Sequence, residues 1–411
     1  MPKSPRKKTY RTVRRGSGRG PSRRWRTRIV GIAIASLLLS LILAAVLGSC
    51  HKKNPPQPRT EARHEQLAAD FQEVIANTGG SQVWIKQPPG AHHGKNVDTP
   101  LEVVAASGVF ASLEPALRRD AVQHKLDFAA TAGAQASGLR TTSIDVSLHG
   151  HYLFRARLRE VPRLLHAAIV IDDLGSEPEP VQKLLALPYP ITYSILPYLH
   201  SSQATAEDVH RAGREVMLHL PMEAEPGPHP APGEGMIRTG MGEAEALRVL
   251  ESDLAAVPFV RGVNNHMGSR ATQNRTLMAE VIKGLAERKL FFIDSRTTAE
   301  SVALEAARRQ GVPTFYRSVF LDDQETVPYT LGQLRELRHV VEEQGAALAI
   351  GHPHPTTIAA LAQFLPELER ADIELVPASR LVRLPEVAHL HPPGSKKQGI
   401  GNREQEIQSR E

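Results

Sequence analysis

Ala168-Ile169-Val170-Ile171-Asp172-Asp173-Leu174-Gly175 is the stretch on which the fold turns. Four consecutive apolar residues make a strand buried on both faces, the habit of parallel sheets covered by helices. In such sheets ligands gather at the carboxyl ends of the strands, and here that end delivers two acids. Two carboxylates are costly to bury there and ask for a metal or a proton to manage. The plainer alternative is that one acid caps the next helix and the other pairs with an arginine.

Downstream of this run, short apolar strands alternate with amphipathic helices. The pattern predicts strands over 167–173, 191–196, 215–220, 259–264, 290–294, 314–320, 346–350 and 373–376, with helices such as 243–255, 277–288, 331–343 and 356–368 between them. Seven or eight βα units imply a parallel sheet, expected to close as a (β/α) barrel of TIM type over 164–384, with a flat doubly wound sheet as the alternative. Before it, 63–163 is expected to be a small α+β module: a helix over 64–76, a strand over 82–85 and a hairpin whose arms alternate through Ile144, Val146, Leu148 and through Tyr152, Phe154, Ala156, Leu158. The tail, 385–411, is expected to be disordered.

The charge of the chain is unevenly placed. Residues 1–28 hold three lysines, nine arginines and no acid, against a net charge of +6 for all 411 residues, so the remainder is acidic and nucleic-acid binding loses its support. This leader abuts 29–47, an uncharged stretch about 28 Å long as a helix, close to the thickness of a bilayer core. The expectation is a transmembrane helix or signal anchor with a cytoplasmic N-terminus, then a linker over 48–62 and an extracytoplasmic remainder in the inner membrane or periplasm. Leu47-Gly48-Ser49-Cys50 resembles a lipobox, so a lipoprotein anchored at Cys50 is the alternative to an uncleaved anchor. Cys50 is the only cysteine, which excludes an internal disulfide and a cysteine nucleophile.

The polar residues cluster at the ends of the expected strands. Asp172 and Asp173 end the first, His219 and Glu223 lie at and beyond the third, Asn264-Asn265-His266 end the fourth, Asp294-Ser295-Arg296 the fifth, Asp322-Asp323 the sixth, and Gly351-His352-Pro353-His354 the seventh. In an α/β barrel these ends share one rim. Asp173, His219 and His266 make a sensible ligand set for a divalent metal, Zn²⁺ first among them. Asp172 is then free as general base, and His352 as the acid that protonates a leaving amine. Arg296 is placed to hold Asp172 ionised, and Asn264 and Asn265 to donate hydrogen bonds to substrate or to a ligand; Asp294 with Arg296 reads as support. Buried, backbone-bonded histidines remain the alternative for His219 and His266. Asp322 and Asp323 read as helix caps, Met222 and Met267 as core packing, and His354 as a loop residue without a partner.

Ile171-Asp172-Asp173-Leu174-Gly175, His219-Leu220-Pro221-Met222-Glu223, Asn264-Asn265-His266-Met267-Gly268-Ser269, Phe292-Ile293-Asp294-Ser295-Arg296-Thr297 and Gly351-His352-Pro353 together resemble the divergent polysaccharide deacetylase family, a remote branch of the NodB-type carbohydrate esterases. The resemblance spans about 167–382. It implies a distorted barrel, a divalent metal and hydrolysis of N-acetyl or O-acetyl groups on a glycan such as peptidoglycan or an exopolysaccharide, with the first acid as base and the second as ligand. The chain departs from the better-known esterases in lacking a His-x-x-x-His pair and an evident Arg-x-Pro-Tyr element. A non-catalytic glycan-binding or scaffold protein that keeps the barrel is the rival reading, and a metal phosphoesterase would need more basic groups at the rim than Arg270 and Arg296.

Overall fold

The computed structural model describes residues 58–86, 100–227, 231 and 233–392. The basic leader, the apolar stretch 29–47 and Cys50 lie outside the described residues. No helix among the described residues is long and apolar enough to cross a membrane.

The first structural layer is a five-stranded sheet backed by two helices. Helix α1 (Pro58–Gly79) begins inside the expected linker, and β1 (Val83–Lys86), β2 (Leu101–Ala106), α2 (Ser107–Gln123), β3 (Asp127–Ala134), β4 (Arg140–Leu148) and β5 (His151–Val161) follow. The sheet order is β1-β2-β5-β4-β3. The expected hairpin is β4–β5, antiparallel, and its alternation buries Ile144, Val146, Phe154, Ala156 and Leu158 against Phe71 and Ile75 of α1 and Leu113 and Leu117 of α2. Lys86 and Arg159 both pair with Asp372 of the larger sheet.

That larger sheet carries the remaining strands: β6 (Leu165–Leu174), β7 (Thr192–Ile195), β8 (Glu215–Met222), β9 (Val260–Met267), β10 (Phe291–Asp294), β11 (Thr314–Tyr316), β12 (Val319–Phe320), β13 (Ala346–Gly351) and β14 (Ile373–Leu375). Every pairing in it is parallel. The order is β11-β10-β9-β8-β7-β6-β13-β12, with β14 added on β6, so the sheet curls into an open barrel. Closure fails at one place. The single strand expected over 314–320 is two, β11 on one edge beside β10 and β12 on the other beside β13. Arg317 and Ser318 cross the gap: Arg317 N–H donates to Asp294 O on one side and Ser318 N–H to Leu348 O on the other.

Helices α3 (Pro178–Leu185), α4 (Ser202–Arg211), α5 (Glu243–Ala256), α6 (Arg275–Glu287), α7 (Ala303–Arg309), α8 (Val327–Gln344), α9 (Pro355–Arg370) and the short α10 (Ala378–Leu381) connect the strands. Their ends obey local chemistry. Asn274 caps α6 by accepting from Leu277 N–H, and Thr326 caps α8 by accepting from Tyr329 N–H. Gly345, at φ 92°, ends α8 in the left-handed conformation and hands the chain straight to β13.

The strands divide their side chains between two cores. Ala167, Ile169 and Ile171 face the helices, while Ala168 and Val170 face the barrel interior. The same parity turns Val263, Phe292, Ala347 and Ala349 outward and Met217, Phe291, Ile293, Leu348 and Ile350 inward. The tail expected to be disordered from 385 instead stays on the interior core through 392: Val387 is buried in it, Leu390 packs against it, and Tyr316 Oη donates to His391 O at 3.0 Å.

Candidate active site

Continued by two residues past the inward apolar rows, the pleat of each strand points a polar side chain into the upper end of the barrel. The rows lead from Val170 to Asp172, from Met217 to His219, from Phe320 to Asp322 and from Ile350 to His352. Asn264 and His266 share a parity opposite to the outward Val263. Asp172, Asp173, His219, Asn265, His266 and His352 line a cleft of about 370 Å³ together with Met267, Ser295, Thr297, Arg317, Phe320 and Asp323.

Asp173 breaks the parity. A regular strand would send it outward, but its φ is 57°, and the β6–β7 register shifts between Ile171 and Leu174. This left-handed turn, costing about 1–2 kcal/mol for a non-glycine residue, swings the carboxylate back into the cleft. Met267 and Arg296, at the ends of β9 and β10, also have positive φ, so three strand ends around the cleft carry this kind of strain.

Asp173 Oδ1 lies 3.1 Å from His219 Nε2 and 3.0 Å from His266 Nδ1, and the two histidine nitrogens are 3.1 Å apart. The three atoms form a near-equilateral triangle, small enough for one ion to lie about 2.1 Å from each. Asp173 Oδ1 is buried and has no hydrogen-bond partner, an unsatisfied acceptor at one corner of the triangle. Two imidazoles and a carboxylate suit a transition-metal dication, and all three residues of the expected ligand set are brought together here.

Asn264 organises the surroundings. Its Nδ2 donates to both oxygens of Asp172, at 2.9 and 3.0 Å, and to Ser295 Oγ. The carboxylate can only accept, which fixes the amide's orientation and leaves Oδ1 to accept from Ser194 Oγ at 2.5 Å and from His219 Nδ1 at 3.0 Å. A proton held on Nδ1 leaves Nε2 of a neutral His219 as the lone pair facing the triangle. One buried amide thus orients both an acid and a ligand. Asn265 instead ties backbone together, accepting from Ser295 N–H and donating to Met267 O.

The electrostatics follow from burial among like and unlike charges. Burial pushes Asp172 up, against the pull of His219, His352 and the Asn264 hydrogen bonds. Asp173 is held well below the usual carboxylate range: burial would raise it, but its contacts with His219 and His266 win. Burial would lower His352, yet its bond to Asp322 and the charges of Asp172 and Asp173 hold it protonated up to about 9.

Asp322 is the functional residue that the sequence reading missed. It caps no helix. Its Oδ1 meets His352 Nδ1 at 3.0 Å, and its Oδ2 accepts from His352 N–H at 2.6 Å and Thr357 Oγ1 at 2.7 Å. His352 Nε2 is thereby aimed across the cleft, 3.7 Å from Asp173 Oδ2. Spacing along the chain carries no signal for this pair, which follows from the parallel neighbourhood of β12 and β13, whose ends stand side by side.

Two expectations are corrected. Arg296 does not hold Asp172; the arginine on the cleft wall is Arg317, pinned by donation to Ser295 O and Arg296 O and stacked 5.0 Å over the Phe320 ring. Met267 is half-buried on the cleft wall and is not core. Asp294 supports the fold as expected: outward by parity, it accepts from Arg296 N–H and Ser301 Oγ. Glu223 lies outside the cleft lining and braces a loop through Thr239 and Arg270.

Comparison with known proteins bears on the larger sheet. The uncharacterized protein YibQ of Escherichia coli K12 is 37% identical over 226 residues, which cover 55% of this chain and 70% of that one. An uncharacterized protein of Haemophilus influenzae is 36% identical over 216 residues, 53% of this chain and 76% of its own. The crystal structure of the uncharacterized protein ATU2773 from Agrobacterium tumefaciens superposes with a TM-score of 0.51 at 26% identity, covering 53% of this chain and 89% of that one. A family model described as divergent polysaccharide deacetylase matches residues 169–382, just over half of the chain, and the chain belongs to that family.

Proposed function

We propose that the protein is a metal-dependent hydrolase that removes acetyl groups from an envelope glycan, peptidoglycan or an exopolysaccharide. The observation that carries this reading is the Asp173–His219–His266 triangle with its unsatisfied buried oxygen, facing Asp172 and His352 across one cleft. A divalent ion held there, Zn²⁺ being the best match to the donor set, would polarise the acetyl carbonyl and acidify water.

The chain's own residues supply the proton traffic. Asp172, raised by burial and steadied by Asn264, accepts a proton from the attacking water. His352, protonated and aimed by Asp322, gives its Nε2 proton to the leaving nitrogen or oxygen as the C–N or C–O bond breaks. A cation held by Asp173 would take up part of the negative charge that keeps His352 protonated, which would favour its giving up the proton. The products balance: one water and one acetylated sugar yield acetate and the free amine or hydroxyl.

The seat of this chemistry is proposed to be the extracytoplasmic side of the inner membrane, on the strength of the basic leader and the uncharged stretch 29–47. Release of acetate from acetylated chitooligosaccharides or peptidoglycan fragments, by full-length protein reconstituted with Zn²⁺, tests the activity. Acetate release that a chelator abolishes and Zn²⁺ restores is expected. No release from any acetylated glycan by metal-loaded protein overturns the reading.

A further inference from the structure

We propose that Asp322, His352 and His354 form a second dication site beside the first, and that filling it takes His352 out of use as an acid. The ligand atoms of these three side chains lie within 4.8 Å of one another. Asp322 Oδ1 and His352 Nδ1 are 3.0 Å apart, and the His352 and His354 rings are 6.0 Å between centroids.

The local sequence builds the cluster. Gly351-His352-Pro353-His354-Pro355 leaves β13 extended, with His354 at φ −67° and ψ 142°, and alternate residues of an extended segment share a side. Asp322 arrives from β12, the parallel neighbour of β13. Glu325 Oε2 stands 3.6 Å from His354 Nδ1, so an acid is at hand to orient that ring. The donor set, two imidazoles and a carboxylate, is that of the first triangle. Both histidines are partly exposed, which gives an ion a way in, while the Asp322 side chain is buried.

The consequence is a switch by occupancy. The 3.0 Å contact between Asp322 Oδ1 and His352 Nδ1 is what aims Nε2 across the cleft, and an ion bound between those two atoms would replace it. The ring would then be held by the ion and no longer by Asp322, so excess metal would inhibit. This regulatory half rests on the deacetylase reading; the site does not. The two sites are separated only by the 3.7 Å His352–Asp173 contact, and repulsion between dications makes the second ion bind more weakly than the first.

Equilibrium dialysis of the full-length protein against buffered Zn²⁺, with metal counted by elemental analysis, tests the site. Two Zn²⁺ per chain are expected at saturation, the second at higher free Zn²⁺. His354→Gln, and His354→Asn as a second replacement, should keep the first ion and lose the second or weaken it at least about tenfold; His266→Gln should lose the first. Excess Zn²⁺ should inhibit the wild type and spare His354→Gln, which is otherwise as active. A wild type saturating at one Zn²⁺, or His354 variants that keep two, overturns the proposal. One Zn²⁺, lost in His266→Gln, with acetate still released, leaves the deacetylase standing without the second site. Two Zn²⁺ with no acetate released does the reverse.

Discussion

Replacing Asn264 with alanine removes the one side chain that joins the proposed base to a proposed metal ligand. The buried amide makes hydrogen bonds to Asp172, His219, Ser194 and Ser295. Those to the Asp172 carboxylate are charge-assisted, worth about 1.5–3 kcal/mol, and each neutral partner adds about 1 kcal/mol, so the expected loss after partial relaxation is about 3–5 kcal/mol. A domain of ordinary stability survives that, with a melting temperature lowered by about 6–15 °C. The sharper effect is on metal. His219 loses the acceptor that holds its proton on Nδ1, and removing such a partner weakens binding by about 10–100-fold. Zn²⁺ affinity measured by competition with a chromogenic chelator reads this directly. Asn264→Asp separates the two duties: it keeps an acceptor for His219 but sets a second carboxylate against Asp172, so it should bind Zn²⁺ nearly as well as wild type and still lose activity. An Asn264→Ala protein with wild-type Zn²⁺ affinity would refute the claim that this amide sets the histidine's tautomer.

Further outcomes are expected elsewhere. Asp172→Asn should keep bound Zn²⁺ while acetate release falls by about 10²–10⁴-fold; retained activity rules out Asp172 as base. Asp322→Asn takes away the carboxylate that holds His352 up to about 9, so the acid loses its proton at lower pH and the alkaline limb of the kcat/KM profile should move down; an unmoved limb denies the pairing a role. Asp253 on α5 is fully buried against Gly235 and Tyr198, and burial pushes it up to about 7, above its unfolded value near 4. Its folded form favours the proton, so its penalty is absent below pH 4, grows as pH rises and is complete above about 7, reaching up to about 4 kcal/mol. Asp253→Asn should therefore raise the melting temperature more at pH 8.5 than at pH 5, where only about a third of the penalty is present, and a wild-type melting temperature flat across that range would contradict this.

Much of the larger sheet was legible because short, largely apolar strands such as Ala167–Ile171 and Ala346–Ile350 alternate with amphipathic helices. What escaped notice had a weak or misleading signal. The run from Thr314 to Phe320 is continuous in hydrophobicity, and only Arg317-Ser318 interrupts it, yet those two residues carry the chain from one edge of the sheet to the other. Strand β3, Asp-Phe-Ala-Ala-Thr-Ala-Gly-Ala, is an edge strand built of small residues and mostly exposed, so it lacks both alternation and bulk. Asp322 was mistaken for a cap because an acid before a helix usually is one, and because closeness of β12 to β13 is a fact of topology that spacing along the chain does not carry.

The acid pair shows where local pattern stops deciding geometry. Two adjacent residues of a strand face opposite ways, so the sequence alone allows one acid in the cleft and one outside, or a break in the strand. Parity with Ala168 and Val170 puts Asp172 inside without any distortion. Asp173 joins it only through a left-handed backbone, and Gly175, at φ 120° with its missing Cβ against Ser202 Oγ and Leu196 O, lets the chain leave at once. A glycine at 173 would relieve that strain by about 1 kcal/mol and forfeit the carboxylate. That an aspartate holds the position at a cost in stability, in direct contact with two histidines, is what the folded chain adds to the sequence: the strain turns a second carboxylate, with its unsatisfied oxygen, into the cleft where the proposed ion would sit.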